Sequence, residues 1–181
     1  MTTIVFDGDT FYSDTQATCM TDGKWTRAFL TDKIYGEGDD VWAAAGSMYI
    51  ADLYHDRLSR WMMRYLKWTF QWNCTISNVN TFSGVSRNTD IIHVNKKHAY
   101  LLMAVSRQFS LRLFNFRVDV LNVSVSATRY LRKDLVSIVI GSGYEIADRH
   151  MKDGHAPDVA IRLTAMEDMY TNSLIQTMKC K

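Results

Sequence analysis

Along the chain the spacing of apolar positions changes period several times, and each change marks an element boundary. Thr3-Ile4-Val5-Phe6 is a short apolar run that reads as a strand, and Asp7-Gly8 is a pair favoured in tight hairpin turns. Thr10 to Thr18 is β-rich and reads as the return strand, although Asp14 sits inside it. Asp22-Gly23, between Met20 and Trp25, is a second turn signal. Thr31-Asp32-Lys33-Ile34-Tyr35 predicts a third strand, with Gly36-Glu37-Gly38-Asp39-Asp40 as its hairpin loop. Its partner is Val41-Trp42-Ala43-Ala44-Ala45-Gly46, an apolar run short enough to be a buried strand.

From Ser47 the period becomes helical. Ile50, Leu53, Tyr54, Leu58, Trp61, Met62, Tyr65 and Trp68 recur at intervals of three and four, with Arg57, Arg60, Arg64 and Lys67 on the other side. The spacing predicts one long helix from about Ser47 to Phe70. Its aromatic stripe, Tyr54, Trp61, Tyr65 and Trp68, is wide enough to serve a subunit interface as well as a core. Cys74 to Lys97 is polar, broken by Ser83-Gly84 and Asn88, and has room for a short helix. Strand-like runs follow at His98–Ser106, Ser110–Phe116, Val118–Ser126 and Leu135–Ile140, the last ending in Gly141-Ser142-Gly143. Tyr144 to Asp153 reads as a helix stopped by Gly154, and Pro157 suits the first turn of another. Val159, Leu163, Met166 and Met169 form the predicted stripe of that second helix, and Ser173 to Cys180 closes as a strand. The order predicts an α+β sandwich, one domain over residues 1–181, with helices covering mostly antiparallel strands.

Composition narrows the function classes. The 181 residues are 47% hydrophobic and 22% charged, the balance of a soluble globular protein. A net charge of +2 with no long basic run gives nucleic-acid binding little support. The N-terminus turns polar at Asp7, and no apolar run approaches the ~20 residues of a membrane span, so a cytoplasmic location is expected. Cys19, Cys74 and Cys180 are odd in number, far apart and without metal-ligand spacing. They predict free thiols in a reducing compartment, and no metal or other cofactor is expected. Two glycosylation sequons, at Asn73 and Asn122, fall within the chance rate for such a compartment.

Candidate chemistry begins at the first residues. Thr2 follows the initiator methionine, and removal of Met1 would leave a hydroxyl and a free α-amine on one residue. That places a nucleophile and a base together, because an α-amine titrates near ~8. The plainer alternative is that Met1-Thr2-Thr3 only leads into a strand. Asp14 is a carboxylate inside a strand, which must either face water or meet a cation.

Taken with Thr2-Thr3-Ile4-Val5, the segments Asp14-Thr15-Gln16-Ala17-Thr18, Lys33, Ala45-Gly46-Ser47, Ile140-Gly141-Ser142-Gly143 and Tyr170-Thr171-Asn172 occur in a telling order. In that order the chain resembles the proteasome β-subunit and HslV peptidase family, over roughly residues 2–66 and 134–173. The resemblance implies a four-layer αββα sandwich of the N-terminal-nucleophile hydrolases, assembled into a homo-oligomeric ring. It implies Thr2 as nucleophile, its own amine as base, Lys33 as the neighbouring cation and Asp14 as the partner that orients Lys33. It further implies the Gly46 N–H as oxyanion donor, and Ser142 and Asp168 as the polar network around the amine. Ala17, Thr31, Ala44 and Met48 would line the pocket for the residue before the scissile bond, a roomy apolar pocket suited to leucine, phenylalanine or tyrosine. The resemblance also implies unfolded polypeptide as substrate and a separate ATP-driven unfoldase that delivers it; this chain has no phosphate-binding loop of its own. Ser47 stands where the family typically has a second glycine, and the first hairpin is shorter than is usual. Two other readings fit the same residues: a non-catalytic ring or interaction subunit, and an N-terminal-nucleophile amidase acting on a small amide.

Overall fold

The computed structural model describes residues 2–21, 24–37, 39–47, 51, 54, 70–77, 87–113 and 116–181. Its smaller sheet has four antiparallel strands in the order β11-β1-β2-β12: Ile138–Gly141, Thr3–Phe6, Thr10–Asp14 and Ile175–Lys179. The larger has six, β5 (Ile34–Glu37), β6 (Asp40–Ala45), β8 (Arg87–Val94), β9 (His98–Leu113), β10 (Phe116–Leu131) and β7 (Phe70–Ser77), side by side in that order. A separate hairpin joins β3 (Gln16–Thr21) to β4 (Lys24–Leu30). Helices α1 (Tyr144–Lys152) and α2 (Pro157–Glu167) cover the smaller sheet.

The alternation of β1 shows how the layers are made. Ile4 and Phe6 turn toward the larger sheet and join Phe11, Ile34, Val41, Ala43, Ile92, Val94, Ile138 and Ile140 in the core between the sheets. Val5 turns the other way, onto Ala147 of α1 and Ile161 of α2. A strand covered on both faces has no reason to alternate apolar with polar, and all four residues of β1 are buried. The molecule is an α+β sandwich, and its described residues form three layers: helices, small sheet, large sheet. The helix expected from Ser47, which would supply a fourth layer, lies mostly outside the described residues. Tyr54 is described and is buried within the chain, so it is not available to a subunit interface.

Several boundaries differ from the sequence expectation. Phe70 opens a strand rather than closing a helix, and β7 runs to Ser77. The reason is visible in Phe70-Gln71-Trp72-Asn73-Cys74-Thr75-Ile76-Ser77, which alternates strictly with a period of two. The three strand-like runs between His98 and Ser126 are two sixteen-residue strands paired along their full length. The β5–β6 ladder extends to Glu37 opposite Asp40, so the loop is two residues, not five. The third strand starts at Ile34, not Thr31, because the preceding backbone is bonded crosswise: Thr31 N–H donates to the Thr15 carbonyl (2.9 Å) and Lys33 N–H to Gln176 Oε1 (2.8 Å). On α2 the buried residues are Ala160, Ile161 and Thr164, while Val159, Met166 and Met169 are exposed. Close packing selects that small-residue face: a Cβ on Gly143 would fall 2.5 Å from Thr164 Cγ2.

Candidate active site

The end of the small sheet where β1 begins and β2 and β11 finish gathers the polar residues. Asp14 ends β2 with its side chain fully buried. Its carboxylate accepts from the Thr3 N–H (2.8 Å), the Gln16 N–H (3.0 Å) and, at each oxygen, Lys33 Nζ (3.0 Å). Lys33 Nζ also donates to the Gln16 carbonyl (2.5 Å), and its side chain is only 7% exposed. Burial pushes the Lys33 ammonium down and the Asp14 carboxyl up, and each charge opposes the shift of the other. The three donor groups around Asp14 favour its ionised form, so the pair is a held cation beside a held anion.

Thr2 is buried, and its carbonyl accepts the Ser142 N–H at 2.8 Å. Gly141 makes that approach possible. It has φ 101°, and a Cβ there would lie 1.8 Å from the Thr2 carbonyl oxygen. Across the cleft, Gly46 has φ 129°, and a Cβ would meet the Asn88 carbonyl oxygen at 2.4 Å. The next amide, Ser47 N–H, donates to Thr89 Oγ1 at 3.1 Å. The end of β6 is thereby seated on β8 with glycine required at the bend.

Thr2, Lys33 and Gly46 line one cleft, and Ala17, Thr31 and Ala44 line it too. Met48 lies outside the described residues. Gln16, Thr18, Tyr35, Ser47 and Ala51 complete the described wall together with Asp32, an exposed residue that adds a carboxylate to a pocket expected to be free of charge.

Ser142 and Asp168 come together, but around Thr3. Ser142 Oγ donates to Asp168 Oδ2 (3.0 Å), Thr171 Oγ1 donates to the same oxygen (2.8 Å), and Thr171 Oγ1 lies 2.7 Å from Thr3 Oγ1. Adjacent side chains of a strand face opposite ways, so Thr2 faces the cleft and Thr3 faces the helices. The chain of hydroxyls ends at the backbone next to Thr2. Thr3 and Thr171 are therefore site residues that sequence reasoning left without a role, although both stand inside segments quoted for the resemblance. Thr89 had no sequence signal, since its part is to take one backbone amide.

No family model matches the sequence, and no curated protein matches it. In fold it is similar to a eukaryotic HslV from Trypanosoma brucei, with a TM-score of 0.54 at 13% sequence identity. The match covers 98% of this chain and 97% of that one. The fold is HslV-like. The cleft described above lies at the start of β1, where Thr2 sits. Among the described residues no helix is long and apolar enough to cross a membrane, and no group of His, Cys, Asp and Glu is placed to hold a metal ion.

Proposed function

We propose that the chain is a threonine-type endopeptidase subunit of a self-compartmentalising ring that degrades unfolded polypeptide. The observation that carries this reading is that Thr2 shares a cleft with Lys33, whose ammonium is fixed by Asp14, and with the Gly46 bend. With Met1 removed, the Thr2 α-amine takes the proton of its own hydroxyl as Oγ attacks the scissile carbonyl. The Lys33 charge favours the oxyanionic form of Thr2 Oγ. The carbonyl oxygen becomes an oxyanion for which the Gly46 N–H is the donor; losing one such donor costs about 10²–10³ in rate. Collapse expels the amine with the proton held by Thr2 nitrogen and leaves an ester on Thr2 Oγ. Water, deprotonated by the same amine, then hydrolyses that ester.

The proposal extends to one domain over residues 1–181, a homo-oligomeric ring in the cytoplasm and an ATP-driven unfoldase that feeds it. Ala17, Thr31, Ala44 and Met48 favour a large apolar side chain before the cleaved bond. Asp32 modifies that preference, because a basic side chain would find a counter-ion there and an acidic one would not. The test is peptide turnover by protein with a confirmed free Thr2. Thr2→Ala should abolish hydrolysis while the protein elutes at the size of the wild-type ring. A variant that still cleaves, or a wild type that elutes as a monomer, would overturn the reading.

A further inference from the structure

On the face of the larger sheet turned away from the small sheet lies a buried polar cluster unrelated to Asp14 and Lys33. His93 of β8 is 1% exposed. Its ring stacks on Trp42 (centroids 5.7 Å, 16°) and meets the edges of Tyr54 and Tyr100. Nε2 lies 3.1 Å from Asp40 Oδ1 and Nδ1 lies 2.6 Å from the Tyr54 hydroxyl. A carboxylate only accepts, so the hydrogen belongs on Nε2, and Nδ1 accepts the Tyr54 O–H. Burial holds the Tyr54 phenol well above its ordinary range, which keeps it a donor. Tyr54 and His93 are closed to solvent, while the Asp40 side chain at the end of the arrangement is 39% exposed.

What it holds is the wall of the cleft. Strand β8 grips the segment after β6 twice. Thr89 takes the Ser47 N–H beside Gly46, and His93, four residues further along the same face, takes Tyr54. Between these grips lie Ser47 and Ala51, both cleft residues, with the Ala51 N–H bonded to the Ser47 carbonyl at 3.1 Å. We propose that Asp40, His93 and Tyr54 form a latch, buried at His93 and Tyr54, that fixes the cleft wall at Gly46, Ser47 and Ala51, with His93 and Tyr54 as positioning residues. The inference rests on the proposed function only for what the cleft does; the latch itself is tested without turnover.

The experiment is hydrogen exchange with residue-level readout on the full-length protein, comparing wild type with Tyr54→Phe, which keeps the ring and removes only the O–H. Exchange at Ser47 and Ala51 should quicken about tenfold, the effect of one lost hydrogen bond, while Ile4 and Val5 in β1 exchange as before. Asp40→Asn, which still offers Nε2–H an oxygen, should stay near wild type, and Asp40→Ala should move toward Tyr54→Phe. Unchanged Ser47 and Ala51, or an equal rise at Ile4 and Val5, would overturn the latch. A wild type without peptidase activity that still shows this local pattern would sink the peptidase reading alone.

Discussion

The two ends of β1 are held by ion pairs of very different character. Where the strand begins, Lys33 and Asp14 are both withdrawn from water, with side chains 7% and 0% exposed. Where it turns into β2, Arg132 meets Asp9 with side chains 15% and 55% exposed, and Lys179 meets the same Asp9 while itself 76% exposed. Arg132 also donates to the carbonyls of Gly8, Cys180 and Lys181, so it staples the β1–β2 turn to the end of the chain. That staple keeps its charges near solvent and costs little to form. The Lys33–Asp14 pair gives up hydration at both groups, and a buried pair rarely stabilises more than apolar side chains of the same size would. Stability does not account for such a pair at the edge of a cleft; under the proposed function, a need for a fixed cation there does.

The sharpest way to break the comparison is to remove one buried partner. Lys33→Met leaves the Asp14 carboxylate uncompensated and should cost about 3–5 kcal/mol in urea denaturation. Asp14→Asn combined with Lys33→Met removes the buried charge, keeps an acceptor for one of the Thr3 and Gln16 amides and should recover part of that loss. If the double variant is as unstable as the single one, charge burial is not what separates the two ends.

The pH dependence follows from the same pair. Asp14→Asn leaves Lys33 to desolvation alone, so its folded-state pKa falls further below the ordinary lysine value of about 10.4. Between those two values the unfolded chain binds more protons than the folded one, and stability therefore rises with pH. Relative to wild type the variant should gain stability from neutral pH toward that value, by about 1.4 kcal/mol for each unit that Lys33 falls. Matching urea midpoints for both proteins across the range would contradict it.

At the exposed end the effects are smaller. Arg132→Ala should cost about 1–2 kcal/mol through its lost carbonyl bonds. Lys179→Ala should stay within about 0.5 kcal/mol of wild type, and added salt should shrink even that difference.

How much of this was legible in the sequence depended on whether a residue carried its own physical signal. Asp14 did, because a carboxylate inside a β-rich run demands water or a cation, and Lys33 proved to be that cation. The Gly141-Ser142-Gly143 and Ala45-Gly46-Ser47 segments did too, because small residues at strand ends permit the close backbone approaches seen at Thr2 and Asn88. The strand at Phe70 was legible in its alternation but was absorbed into the helical stripe that precedes it. The buried face of α2 was not, since Ala160 and Thr164 are less apolar than the methionines beside them and were chosen for size. His93 gave no sign at all, and Tyr54 showed only as one position of the helical stripe. A histidine in a polar stretch becomes informative only when the sheet lays it against Trp42 and Asp40.

The most direct test of the central claim is the intact mass of the protein before and after treatment with a peptide epoxyketone, a warhead that requires both a hydroxyl and a free α-amine on one residue. The account predicts loss of Met1 and a single covalent adduct located on Thr2, absent in Thr2→Ala and strongly slowed in Lys33→Met. A chain that begins with free Thr2 and remains unmodified would contradict it.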